Sequence, residues 1–119
     1  MALGELVLED NGQITGIRIL STDASGTTVE LSLTLTGTIR GVAQTTMWTY
    51  NTTTRADGSI FGQGRGVLTT ADGDVVHLVG RASDQSGGPG SPTHYRGAIH
   101  FQTSSAKFAK LNGVAGVFI

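Results

Sequence analysis

The chain contains no cysteine, which excludes disulfide staples and thiol chemistry and leaves the fold to be held by its own core. Charge is scarce as well: Asp, Glu, Lys and Arg make up 14% of the residues, against roughly 25% in ordinary soluble domains. The formal net charge of −1 offers no electrostatic footing for nucleic acid or an anionic membrane, and neither partner is expected. No apolar run approaches the roughly 18 residues of a membrane span. The start of the chain shows no basic, signal-like stretch, from which a cytoplasmic location is expected. Proline occurs twice, both times within residues 85–93, so that segment reads as a mobile loop.

Glycine, by contrast, is abundant at 18 of 119 residues, about twice its usual share of roughly 7%. Threonine takes much of the polar role, and its branched Cβ suits a pleated strand. No helical period runs through the first half. This is the composition of a single all-β domain spanning residues 1–119.

Alternation of apolar and polar residues predicts eight strands, at 2–9, 14–20, 27–40, 43–54, 59–70, 74–84, 94–103 and 114–119. Asp10-Asn11-Gly12 reads as a hairpin turn between the first two, with Ile17 and Ile19 of the second buried. The third alternates most strictly: Val29, Leu31, Leu33, Leu35 and Ile39 share one face, opposite Thr28, Glu30, Ser32, Thr34, Thr36, Thr38 and Arg40. Gly37 falls on its apolar side, where it relieves crowding at a bend. Residues 104–113 read as a short, partly helical excursion carrying Phe108 and Leu111.

Turn chemistry sets the register of the central strands. Arg55-Ala56-Asp57-Gly58 and Thr70-Ala71-Asp72-Gly73 each place Gly where a three-residue hairpin needs a left-handed residue. Those loops pair Trp48 with Gly66, Tyr50 with Gly64, Gly66 with Leu78 and Gly64 with Gly80. Trp48, Tyr50, Ile60, Leu68, Val76, Leu78 and Ala82 then share one face; Thr49, Asn51, Gln63, Arg65, His77 and Arg81 share the other. A slip of one residue would mix the two sets, so the sorting supports this register. Gly62, Gly64 and Gly66 strip the inner wall bare and leave room for the rings.

The segment Thr103-Ser104-Ser105-Ala106-Lys107-Phe108-Ala109-Lys110-Leu111-Asn112-Gly113-Val114-Ala115-Gly116 resembles a signature of the allene oxide cyclase and dirigent-type barrels. Ser104, Phe108, Leu111, Gly113 and Gly116 match its rhythm of small-residue turn, hydrophobic residue and glycine before a last strand. The glycine-rich central strands extend the resemblance over the C-terminal half, while Ser105-Ala106 stands where many relatives have a glycine. The resemblance implies an antiparallel up-and-down eight-stranded barrel of the calycin-like, allene oxide cyclase-like kind, its last strand pairing with its first. It also implies a homo-oligomer, and bacterial relatives of unknown activity as readily as a cyclase. No acidic residue matches a catalytic glutamate, so no catalytic residue is carried over.

Three histidines are the neutral-pH proton carriers. His94 and His100 lie six residues apart on one face, about 20 Å along a strand, too far to share a metal ion. His77 opposite His100 would set Arg81 opposite Arg96, so a register shifted by two is expected, and no metal or cofactor is. Arg40, Arg65, Arg81 and Arg96 read as solubilising charges on a Thr-coated surface. Gly62-x-Gly64-x-Gly66 lacks the following helix of a dinucleotide site. Asn51-Thr52-Thr53 matches a glycosylation sequon, read as inert without a signal peptide.

Inward Trp48, Tyr50, Tyr95 and Phe101 are the candidate lining of a lumen that holds a small apolar molecule. A second reading makes the protein a cyclase or isomerase for an apolar substrate, with Tyr50 or Tyr95 donating a hydrogen bond. A third is an assembly module whose Thr-rich strands, 43–54 especially, pair or pack between copies. Whether the protein is an enzyme stays open at this level.

Overall fold

A computed structural model, which describes residues 4–85 and 94–119, turns this alternation into one antiparallel sheet of seven strands in simple sequence order. The strands are β1 (Leu8–Asp23), β2 (Gly26–Ile39), β3 (Val42–Arg55), β4 (Ser59–Thr70), β5 (Val75–Gln85), β6 (Arg96–Gln102) and β7 (Ala115–Phe118). A 3-10 helix, Ala106–Gly113, lies between the last two. Most of the expected loop at 85–93 lies outside the described residues. Among those described, no helix is long and apolar enough to cross a membrane.

The expected hairpin at Asp10-Asn11-Gly12 does not form, and the first two expected strands merge into β1. Asp10, Asn11 and Gly12 pair instead with Gly37, Thr36 and Leu35 of β2. A turn there would strand the backbone groups of a 14-residue neighbour on that side, whereas a continuous strand pairs them. Gly12 does not take the positive φ of a tight hairpin. Its missing side chain serves close approach: a Cβ there would strike the Thr34 carbonyl oxygen and sit 2.6 Å from a Leu35 methyl. Each of two irregularities in the ladder, between Ile14 and Gly16 and between Ile19 and Ser21, inserts one extra β1 residue.

Seven strands therefore replace the expected eight. In the described residues β1 pairs only with β2 and β7 only with β6, so the sheet is not closed into a barrel. It does curl. Val7 and Leu8 at one end of the sheet and Ile99 near the other pack against the same buried cluster.

The central registers agree with those read from the turns: Trp48 opposite Gly66, Tyr50 opposite Gly64, Gly66 opposite Leu78, Gly64 opposite Gly80. Gly58 and Gly73 take φ of 86° and 90°, and their N–H groups donate to the Arg55 and Thr70 carbonyls at 3.0 Å each. Between β5 and β6, His100 pairs with Val79 and Ser83 with Arg96. This is the register shifted by two that keeps Arg81 and Arg96 apart.

One end of the curl is plugged. Residues three apart in a 3-10 helix lie on the same face, so Phe108 and Leu111 enter the interior together, each 2% exposed, beside Ile39, Leu68 and Val76. Asn112 ties the helix to the sheet: its Oδ1 accepts from the Thr103 N–H at 2.8 Å, and its Nδ2 donates to the Thr103 carbonyl at 3.0 Å. The amide side chain thus stands in for one more residue of a neighbouring strand. Ser105 Oγ adds a bond to Asp74 Oδ1 at 2.8 Å.

The opposite end is uncovered. Ile17 and Ile19 share the core-facing side with Leu31 and Val29, yet each remains 66% exposed, which corrects their expected burial. Among the described residues, no second layer reaches the distal half of the β1–β2 ribbon. Arg18 on the other face pairs with Glu30 at 3.2 Å.

A candidate ligand cavity inside the curl

One row of facing residues crosses the sheet as Ile17, Leu31, Tyr50, Gly64, Gly80, Ile99 and Gly116. The neighbouring row runs Ile14, Leu33, Trp48, Gly66, Leu78 and Phe101. The glycines decide where the rings go. A Cβ on Gly66 would lie 2.7 Å from Trp48 Cδ2, and one on Gly80 2.5 Å from Tyr50 Oη. The two rings therefore lean over bare backbone, with centroids 5.0 Å apart and planes tilted by 39°. This spacing lies within the favourable range for aromatic pairs.

Above them lies a cavity of about 280 Å³, lined by Leu8, Asp10, Leu31, Leu33, Leu35, Trp48, Tyr50, Thr52, Tyr95, Ile99, Phe118 and Ile119, among others. Both ends of the sheet contribute, so the curl itself makes the chamber. Of the residues singled out from sequence, Trp48, Tyr50 and Tyr95 meet on this wall. Phe101 does not; it is 6% exposed within the packed core, where Leu78 pairs with it and Gly116 lies against its ring. Tyr95 precedes β6 rather than lying within it.

The two phenols of the chamber keep their protons at neutral pH. Burial pushes the Tyr50 phenol up to about 12, so it stays a protonated hydrogen-bond donor across the neutral range. Burial also raises Tyr95; the Thr52 hydroxyl opposes the shift and the Asp84 charge adds to it. Among the described residues no three metal-ligating side chains come together.

Asp10 is the functional candidate that reading the sequence missed, because it was assigned to a turn. It sits on the cavity wall and accepts a hydrogen bond from Gln44 Nε2 at 2.6 Å, while Thr46 Oγ1 donates to Gln44 Oε1 at 2.6 Å. Gly37 makes this possible. It separates Asp10 from Gln44 in the same cross-strand row, and adjacent strands lie about 4.8 Å apart. A Cβ at Gly37 would strike the Glu9 carbonyl oxygen and lie 3.0 Å from Asp10 Cα, so the glycine lets β2 approach β1 closely beside Asp10. Burial raises the Asp10 carboxyl above its ordinary value, opposed by the Gln44 and Thr46 hydrogen bonds. One sequence signal pointed here: Gln44 occupies an inward position of β3, where a polar residue needs a partner.

A larger depression of about 570 Å³ crosses the outer face near Met47, Arg65, Val67, His77 and Val79. Met47 is 65% exposed and Val79 51%, so this depression lies open to solvent, and the aromatics converge on the inner chamber instead.

Fold and chamber together define a small antiparallel all-β protein built as a curled meander with an apolar interior. No protein-family model matches the chain, and no curated protein matches it either. A solved structure of a conserved protein of unknown function from Rhodopseudomonas palustris is similar, with a TM-score of 0.72 at 15% sequence identity. The match covers 93% of this chain and 87% of that one. At that identity, the likeness shows a shared fold.

Proposed function

We propose that the protein binds a small apolar molecule inside the curled sheet. The observation that carries this reading is the convergence of Leu31, Leu33, Leu35, Trp48 and Tyr50 on one cavity of about 280 Å³. That volume is close to the lower end of known ligand pockets, about 300 Å³. The resemblance of residues 103–116 to the allene oxide cyclase-like barrels supports the same reading. Trp48 is the sole tryptophan, so its emission reports directly on occupancy. Titration with linear alcohols of six to ten carbons is expected to change that emission saturably. Ala82 also lines the cavity, and Ala82→Phe, which fills that part of the wall, should abolish the effect. Unsaturable responses that are identical in both proteins would sink the proposal.

Catalysis in the same chamber, as a cyclase or isomerase, draws support from the Tyr50 phenol, a donor held in its protonated form. Full retention of turnover in Tyr50→Phe and Tyr95→Phe would remove that support.

Self-association is favoured by a separate observation. The chain exposes 7627 Å², whereas a compact 12.3 kDa monomer exposes about 6,100 Å². Its radius of gyration is 15.3 Å against about 13.5 Å for a compact domain of this length. Ile14, Ile17 and Ile19 expose apolar surface on the uncovered inner face, and a second copy covers it in this reading. β3 lies mid-sheet with both edges paired, so of the two modes expected for residues 43–54, packing is the one this reading keeps. Sedimentation velocity is expected to show a dimer or larger species that Ile17→Asp converts to monomer. A wild type that stays monomeric at 100 μM would contradict it (an order-of-magnitude concentration for a micromolar dissociation constant).

A further inference from the structure

Apolar walls make a chamber for an apolar body, but they do not explain a carboxylate in the wall. Among the described residues, Asp10 forms no ion pair, and no Lys, Arg or His lines the cavity. Its partner is the neutral amide of Gln44. Thr46 donates to Gln44 Oε1 and so turns the amide's donor end toward Asp10. The arrangement holds the carboxylate in place as an acceptor without neutralising it. A partly buried carboxylate with no counter-charge is costly, and an incoming cation relieves that cost.

The position along the strands adds direction. Asp10 shares a row with Gly37 and Gln44, whereas Tyr50 and Thr52 lie six and eight residues further along β3 from Gln44. At about 3.3 Å per residue, the carboxylate and the phenol mark opposite ends of the chamber. Leu33, Leu35 and Trp48 occupy the stretch between them.

We infer that the molecule taken by this chamber is an amphiphilic amine, its ammonium head held by the Asp10 carboxylate and its apolar body lying along Leu33 and Leu35 toward Trp48. This inference rests on the reading of the chamber as a ligand site and specifies the ligand's class. Anionic amphiphiles such as fatty acids are disfavoured, because a second carboxylate would face Asp10. Neutral alcohols fit the walls but leave the charge unmatched.

Three probes with one chain length separate head from body: octylamine, octanol and octanoate, titrated at pH 7 against Trp48 emission. Octylamine is expected to bind at least tenfold more tightly than octanol, with octanoate weakest. Asp10→Asn should bring octylamine to the level of octanol in the same variant. The wild-type comparison requires no variant, so it decides the matter even where Asp10→Asn fails to fold. Equal binding of octylamine and octanol, or an amine preference that survives in folded Asp10→Asn, overturns the head-group inference and leaves the apolar chamber standing. Saturable binding of none of the three overturns both.

Discussion

Gly64→Ala is the sharpest test of how the interior is built. A Cβ at this position meets the Thr49 carbonyl oxygen and lies 2.8 Å from Tyr50 Cγ and 2.9 Å from Tyr50 Cα. Two of those three atoms are backbone, so a side-chain rotation cannot relieve the contact. The Tyr50 ring has little freedom either, with Trp48 at a centroid distance of 5.0 Å and the Gly80 backbone below its hydroxyl. Overpacking of this kind costs about 1–3 kcal/mol. Replacing glycine in a strand returns about 0.5–1 kcal/mol. The net loss is about 0.5–2 kcal/mol, or about 2–8 °C in Tm for a chain of this size.

Gly16→Ala supplies the control, because a Cβ there meets only Ser32 side-chain atoms at 3.8 and 3.9 Å, ordinary contact distances. It should be neutral or stabilising by about 0.5 kcal/mol. Gly64→Val should cost more than Gly64→Ala, and Gln63→Val, on the exposed face, should stay within about 0.5 kcal/mol of wild type. Urea denaturation with a common m-value measures all four variants. Should Gly64→Ala and Gly16→Ala shift the midpoint equally, or Gly64→Val match Gln63→Val, the assignment of faces and the bare inner wall are both wrong.

Other perturbations probe the plug and the chamber. Asn112→Ala leaves the Thr103 N–H and carbonyl without their side-chain partners and is expected to cost about 1–3 kcal/mol by urea midpoint. Asn112→Asp keeps the acceptor, loses the donor and should fall between Asn112→Ala and wild type. Phe108→Ala, at a site 2% exposed, should cost about 3–5 kcal/mol. Absorbance at 295 nm should find Tyr50 ionising at about 12 in the folded protein. Because the unfolded phenol ionises near 10, the unfolded chain loses its proton first, and stability should fall as pH rises from about 10 toward 12. Tyr50→Phe should flatten that slope; an unchanged slope would rule out Tyr50 burial as its cause.

The legible parts of this chain are those governed by neighbours in sequence. Gly58 and Gly73 mark three-residue hairpins, and those hairpins force the pairing of Trp48 with Gly66 and of Gly66 with Leu78. Repulsion between Arg81 and Arg96 was enough to choose the β5–β6 register. Asn11-Gly12 misled for the converse reason. The dipeptide favours a turn in isolation, but β2 offered a full-length partner, and pairing along it prevailed over the local preference. That one reversal changed the strand count and moved Asp10 onto the cavity wall.

Period-two alternation and turn chemistry were thus sufficient to assign the all-β class, the inward and outward faces, and the register of the central strands. Each is set within a hairpin, across a few residues of separation. The meeting of Asp10 with Gln44 across Gly37, the shared wall contributed by Leu8 and Ile119, and the exposure of Ile17 and Ile19 are of another kind. They depend on which strands lie two apart and on how far the curl closes. Both are consequences of packing over the whole sheet, and no local pattern encodes them.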